Sequence, residues 1–129
     1  MSGKSNFLGT SLINHIFGGS SYAQPTQWWL ALYSSDPGAN LTYSSPSPIT
    51  TLVQILSWTR AGNQVSNTNS IQLAAVPNGQ TWNISYFALF DGNTNAANPL
   101  YTGAWTLTKT LSAGDIFTIA PGQIVLTEL

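Results

Sequence analysis

The chain has 129 residues, of which only 5% are Asp, Glu, Lys or Arg, a net charge of −1 and no cysteine. No disulfide framework or thiolate metal site is therefore available, and three basic residues neutralise too few phosphates for nucleic-acid binding. The length predicts one domain over residues 1–129 with a sizeable core, and no apolar run reaches the ~18 residues of a membrane-spanning helix.

Ordinary domains carry about 25% charged residues and stay dispersed through them. Ser, Thr, Asn and Gln take that place here. Two readings follow. One is a surface of hydroxyls and amides, as in many secreted β-proteins. The other is a surface that lies largely against other subunits, where charge is depleted.

Residues 5–17 predict the one helix. Phe7, Leu8, Leu12, Ile13, Ile16 and Phe17 recur near a period of 3.6. Ser5 or Asn6 caps the start, and Gly18-Gly19 ends it. The polar residues inside this apolar stretch argue for structure rather than a secretory signal. His15 falls off the stripe, with no second His and no Cys to join it in a metal site. An amphipathic helix must dock its face on a sheet or on a neighbour.

Strands begin at residue 28. Trp28 to Tyr33 is apolar on both faces, which predicts a strand covered on both sides. Ser34 to Gly38 is an Asp-Pro turn. Residues 39–51 hold Tyr43, Pro46 and Pro48 and no sustained period; they read as a long loop, either functional or a solvated connector. A short apolar run from Leu52 to Trp58 points Val53, Ile55 and Leu56 inward. Arg60, the only arginine, comes next, and Gly62 to Ser70 reads as a turn. Ile71 to Val76 is a short strand, stopped by Pro77-Asn78-Gly79.

Thr81 to Thr106 is the most strongly β-patterned stretch. Trp82, Ile84, Tyr86, Ala88 and Phe90 alternate with Asn83, Ser85, Phe87 and Leu89, the period of a strand. The second set begins polar and ends apolar, so the strand enters a region buried on both faces. A loop through Asp91-Gly92, Asn95, Asn98 and Pro99 leads into Leu100 to Thr106, making a long hairpin. Ile116–Ile119 and Gln123–Leu129 predict a last hairpin around Pro121-Gly122. The expected core is Trp28, Leu30, Leu32, Trp82, Ile84, Tyr86, Phe90 and Trp105. The fold class is mainly β: an antiparallel sandwich or barrel with one N-terminal amphipathic helix.

No catalytic motif appears among these elements. Asp36, Asp91 and Asp115 sit in turns, which accounts for them without a site. The run DGNTN resembles part of a calcium loop, but its Gly is misplaced and the closing Glu is missing. Five Trp and five Tyr are compatible with a sugar site, although strand-interior positions favour core or interface. The expectation is a protein that is not an enzyme and has no cofactor and no metal.

Five segments, taken together and in order, resemble a family of small tailed-bacteriophage virion proteins labelled tail fibre or minor structural proteins. They are SNFLGTSLINHIFGG, WWLALYSSDPG, NISYFALFD, PLYTGAW and SAGDIFTIAPGQIVLT. The chain departs from that pattern at residues 39–58. The resemblance implies a structural protein made in the host bacterial cytoplasm and carried on the particle surface, where it contacts the major capsid protein or other virion proteins. A fibre that reaches a receptor needs a shaft, and no heptad or repeat is visible. A small uncharged β-domain with an amphipathic N-terminal helix suits many copies clamped on a shell. The preferred expectation is therefore a head decoration, or cement, protein acting as a homo-oligomer, with a trimer by analogy to local threefold positions on head shells. The alternative is a tail-fibre or baseplate accessory domain that attaches to the host, by way of a glycan in one form of that reading. Contact residues expected under either reading are Phe7, Leu12, Ile13, Ile16, Phe17, Tyr43, Pro46, Pro48, Asn95 and Pro99.

Overall fold

The computed structural model describes residues 3–42, 52–94 and 96–127. Ten strands and one helix are found among them: β1 (Gly3–Lys4), α1 (Asn6–Ile16), β2 (Trp29–Tyr33), β3 (Val53–Gln54), β4 (Trp58–Ala61), β5 (Gln64–Asn67), β6 (Ile71–Gln72), β7 (Thr81–Phe90), β8 (Pro99–Ser112), β9 (Thr118–Ile119) and β10 (Val125–Thr127). The strands form a five-stranded sheet in the order β1-β8-β7-β2-β3, a three-stranded sheet β10-β5-β4 and a pair β6-β9. Every pairing is antiparallel. The sheets face each other across an apolar layer as in a sandwich and do not close into a barrel.

The large sheet is built on the β7–β8 hairpin, with β2 on the other side of β7. Its two faces are both buried around β2 and the second half of β7. One face carries Leu30, Leu32, Phe87 and Leu89, joined in the main core by Ile71, Leu73, Val76, Ile119, Ile124 and Leu126 from the opposite layer. The other face carries Ala31, Tyr33, Ala88 and Phe90, covered by Leu41 with Leu52, Tyr86 and Ala97.

Alternation along β7 does not run unbroken, and here the core differs from expectation. Trp82 and Ile84 belong to the main core together with Phe87 and Leu89, whereas Ala88 and Phe90 line the second face. The cause is a register shift: Ile84 pairs with Lys109 but Tyr86 pairs with Ala104. Ser85 alone stands opposite the extra residues of β8, and such an irregularity moves the side chains beyond it to the other face. The Ser85 hydroxyl donates to the carbonyl of Ser34 at 2.7 Å, just past the end of β2, and fixes the shift in place. Trp28, Tyr86 and Trp105 are half-buried rather than fully enclosed.

Three further expectations change. Residues 62–70 are not one turn. Gly62-Asn63 is a two-residue turn between β4 and β5, with Gly62 at φ +60, a value that glycine adopts without strain. The last hairpin is not formed, because β9 pairs with β6 and β10 with β5, on either side of the Pro121-Gly122 turn. Leu56 points outward at 77% exposure, while Ile55 is buried.

Helix α1 is capped by Ser5, whose hydroxyl accepts from the Leu8 N–H at 3.2 Å. Leu8 enters the main core and Leu12 packs against it. At roughly 100° per residue, Ile13 lies about 140° around the helix from Leu8 and Phe17 about 180°. One docking surface cannot cover that arc. Ile13, Ile16 and Phe17 remain 58%, 67% and 78% exposed.

Candidate functional site

Of the contact residues expected from sequence, the six among the described residues do not share one surface. Phe7 is half-buried, edge-on to Tyr22 at 6.4 Å. Leu12 packs inward, and Ile13, Ile16 and Phe17 form an outward apolar ridge. Pro99 is buried within the fold, and its carbonyl accepts from the Ser5 hydroxyl. Tyr43, Pro46, Pro48 and Asn95 lie outside the described residues.

Each Asp in the described residues serves a turn. Asp36 accepts from the Gly38 N–H at 2.8 Å and Asp115 from the Ser112 N–H at 2.8 Å. Asp91 accepts from both the backbone and the side-chain N–H of Asn98, at 2.7 and 3.1 Å, closing the β7–β8 loop. The phenol of Tyr22 is raised above its ordinary pKa, first by burial and then by the nearby Asp91 carboxylate. His15 is exposed, and its Nδ1 accepts from the Tyr22 N–H at 3.1 Å. No group of three or more His, Asp or Glu side chains gathers for a metal among the described residues.

Sequence reasoning missed a cleft of about 590 Å³ where the two main sheets part. Its geometry follows from strand register. Trp58 and Arg60 are two residues apart on β4 and so share a face. Arg60 pairs with Val65, which pairs in turn with Leu126 of β10, and all four side chains line the cleft. Leu89, Leu100 and Tyr101 of the large sheet form the opposite wall, with Trp28 at the entrance to β2. The Ile55 N–H donates to the Trp28 carbonyl at 2.8 Å, which holds the strand before β4 beside Trp28. The indoles of Trp28 and Trp58 then meet edge to face, with centroids 6.4 Å apart and planes at 83°. The buried Leu89, Leu100 and Leu126 lie deepest, and the exposed Gln24, Leu56 and Arg60 lie at the rim.

Among the described residues that line the cleft there is no carboxylate. Arg60 and Gln24 have no side-chain partner among the described residues, and the Trp58 indole N–H is buried without an acceptor. A cavity of this size, apolar with a few polar groups at its edge, is the usual form of a small-ligand site. The visible signal was Gly62-Asn63 between Trp58-x-Arg60 and Val65-x-Asn67, since Gly-Asn between two alternating runs marks a hairpin.

Residues 3–127 match the family model described as podophage GP4 fiber I protein gp80. The chain belongs to that family. This fibre I protein family makes it a bacteriophage structural protein of the virion, working alongside other virion proteins. The description names a fibre, which agrees with the alternative drawn from sequence and lends no support to head decoration. No curated protein matches the chain. No helix among the described residues is long and apolar enough to cross a membrane.

Proposed function

We propose that the protein is a component of a phage tail fibre and takes part in attachment to the host. The observation that carries this reading is the family match over nearly the whole chain to a fibre protein. The low charge and the exposed ridge Ile13, Ile16 and Phe17 suit a subunit packed against neighbours in a fibre as well as they suit a shell cement. Gold-labelled antibody on intact particles, with the copy number from quantitative mass spectrometry, tests the location. Label at the tail and a few copies per particle are expected. Hundreds of copies over the head would replace this reading with the cement one.

The same ridge supports association of the chain with itself, a trimer being the form expected by analogy with head proteins. A structural role without turnover is also part of the proposal, because the Asp side chains are engaged in their turns. Release of reducing sugar from polysaccharide by the pure protein, lost on Asp91→Asn, would contradict it.

A further inference from the structure

We infer that the cleft between β4 and β8 binds a saccharide unit that carries a carboxylate. The inference rests on the fibre reading for its setting and adds to it a site, a ligand class and the residues that choose the ligand.

The walls argue for a sugar. A pyranose ring presents an apolar C–H face and a rim of hydroxyls. It needs flat apolar surfaces with a few hydrogen-bonding groups at their edge. Trp28, Trp58 and Tyr101 supply aromatic surface, and the two indole planes stand almost perpendicular at 83°. Leu89, Leu100 and Leu126 close the deep end without any polar atom from their side chains. The volume of about 590 Å³ lies within the range of small-ligand pockets. Gln24 at the rim has an amide with no partner among the described residues, free to meet hydroxyls.

The charge argues for an acid. Arg60 is the only arginine of the chain and the only charged side chain among the described residues that line the cleft. No described carboxylate pairs with it. A guanidinium presents a planar fork of donors that matches a carboxylate in a bidentate manner. The domain carries very little charge elsewhere, so a cation that no described carboxylate opposes, beside an aromatic wall, sets the sign of the ligand. The buried N–H of Trp58 is a standing cost that an acceptor on the ligand relieves after a small rotation of the ring.

The experiment is a titration of the isolated chain by tryptophan fluorescence and by the indole and Arg60 side-chain NMR signals. The probes are a panel of uronic- and sialic-acid-containing oligosaccharides, each paired with its carboxyl methyl ester. The ester keeps the ring and removes the charge. Saturable binding of at least one acidic member is expected, with shifts at Trp28, Trp58 and Arg60, and about tenfold weaker binding of its ester. Arg60→Gln should erase the difference between acid and ester. Leu56→Asp, at a side chain 77% exposed, keeps the fold and should weaken binding of the acid by setting a negative charge at the mouth. Equal binding of acid and ester, or no saturable binding across the panel, would overturn the inference. So would unchanged binding in both variants. A sedimentation result in which Arg60→Gln dissolves a self-associated species would assign the cleft to a second copy instead and also overturn it. None of these outcomes alters where the protein sits on the particle, which antibody labelling decides separately.

Discussion

The hydroxyl of Ser5 donates to the carbonyl of Pro99 at 2.6 Å, across 94 residues of sequence. The same oxygen accepts from the Leu8 N–H, and the Ser5 N–H donates to the carbonyl of Leu100 at 2.8 Å. A residue that reads from sequence as a helix cap is thus also the joint between the helix and the start of β8. Ser5→Ala removes the cap and leaves the buried Pro99 carbonyl without its donor. We expect a loss of about 2 kcal/mol, measured as a lower urea midpoint at constant slope. A loss typical of exposed surface positions, under about 0.5 kcal/mol, would mean that the joint carries no weight.

Asn67 holds three segments at once. Its amide donates to the carbonyls of Asn69 and Ala120, at 2.8 and 3.1 Å, and its oxygen accepts from the Ile124 N–H at 2.9 Å. It is 2% exposed, so water cannot stand in for it. Asn67→Ala should cost about 3 kcal/mol, because buried groups left without partners bear the full desolvation penalty. Asn67→Asp keeps the shape but turns an oxygen toward two carbonyls, and should cost at least as much. An Asp variant as stable as the native chain in chemical denaturation would refute this account of the site.

Trp82 and Phe17 make an opposed pair. Trp82 is 6% exposed in the main core and its indole donates to Gln80 at 3.0 Å, whereas Phe17 is 78% exposed. Trp82→Ala should cost about 3–5 kcal/mol. Phe17→Ser should change stability by less than about 0.5 kcal/mol, yet lower any self-association of the chain. Sedimentation reads that second effect as a shift toward the 13.8 kDa monomer. A native chain that already sediments as a monomer at high concentration would leave the ridge without a role in self-association.

Leu56 stands where two other tryptophans have their partner. The indoles of Trp29 and Trp82 each donate to a glutamine two residues earlier, Gln27 and Gln80, both at 3.0 Å. Two residues before Trp58 the chain has Leu56, and the Trp58 N–H has no acceptor among the described residues. Leu56→Gln should stabilise the protein by about 1 kcal/mol, the usual net worth of a hydrogen bond. Thermal unfolding checks it, and an unchanged or lower midpoint would show that the loop before β4 does not bring position 56 within reach.

The helix, its cap, the β7–β8 hairpin and the three Asp turns were legible because each rests on local chemistry: a period, a capping hydroxyl, a turn carboxylate. The faces of β7 were misread beyond Ile84 because the shift at Ser85 is fixed by a hydrogen bond to Ser34, 51 residues away. Likewise β9 and β10 choose β6 and β5 as partners rather than each other, and no local signal marks that choice. The cleft escaped notice for the same reason. Trp28, Trp58 and Tyr101 are far apart in sequence and meet only when two sheets part. The family resemblance pointed to a virion protein, but the preference for the head came from the lack of a visible shaft, and one compact chain says nothing of what it is attached to.

The turns also bear on the settings the particle can endure. Asp36, Asp91 and Asp115 hold their loops through short hydrogen bonds to N–H groups close by in the chain, and ionisable residues are few throughout. Dissolved ions weaken forces between separated charges but leave short hydrogen bonds and apolar contacts largely alone. The fold of such a protein should therefore depend little on ionic strength, and its unfolding midpoint should stay nearly constant between dilute buffer and concentrated salt.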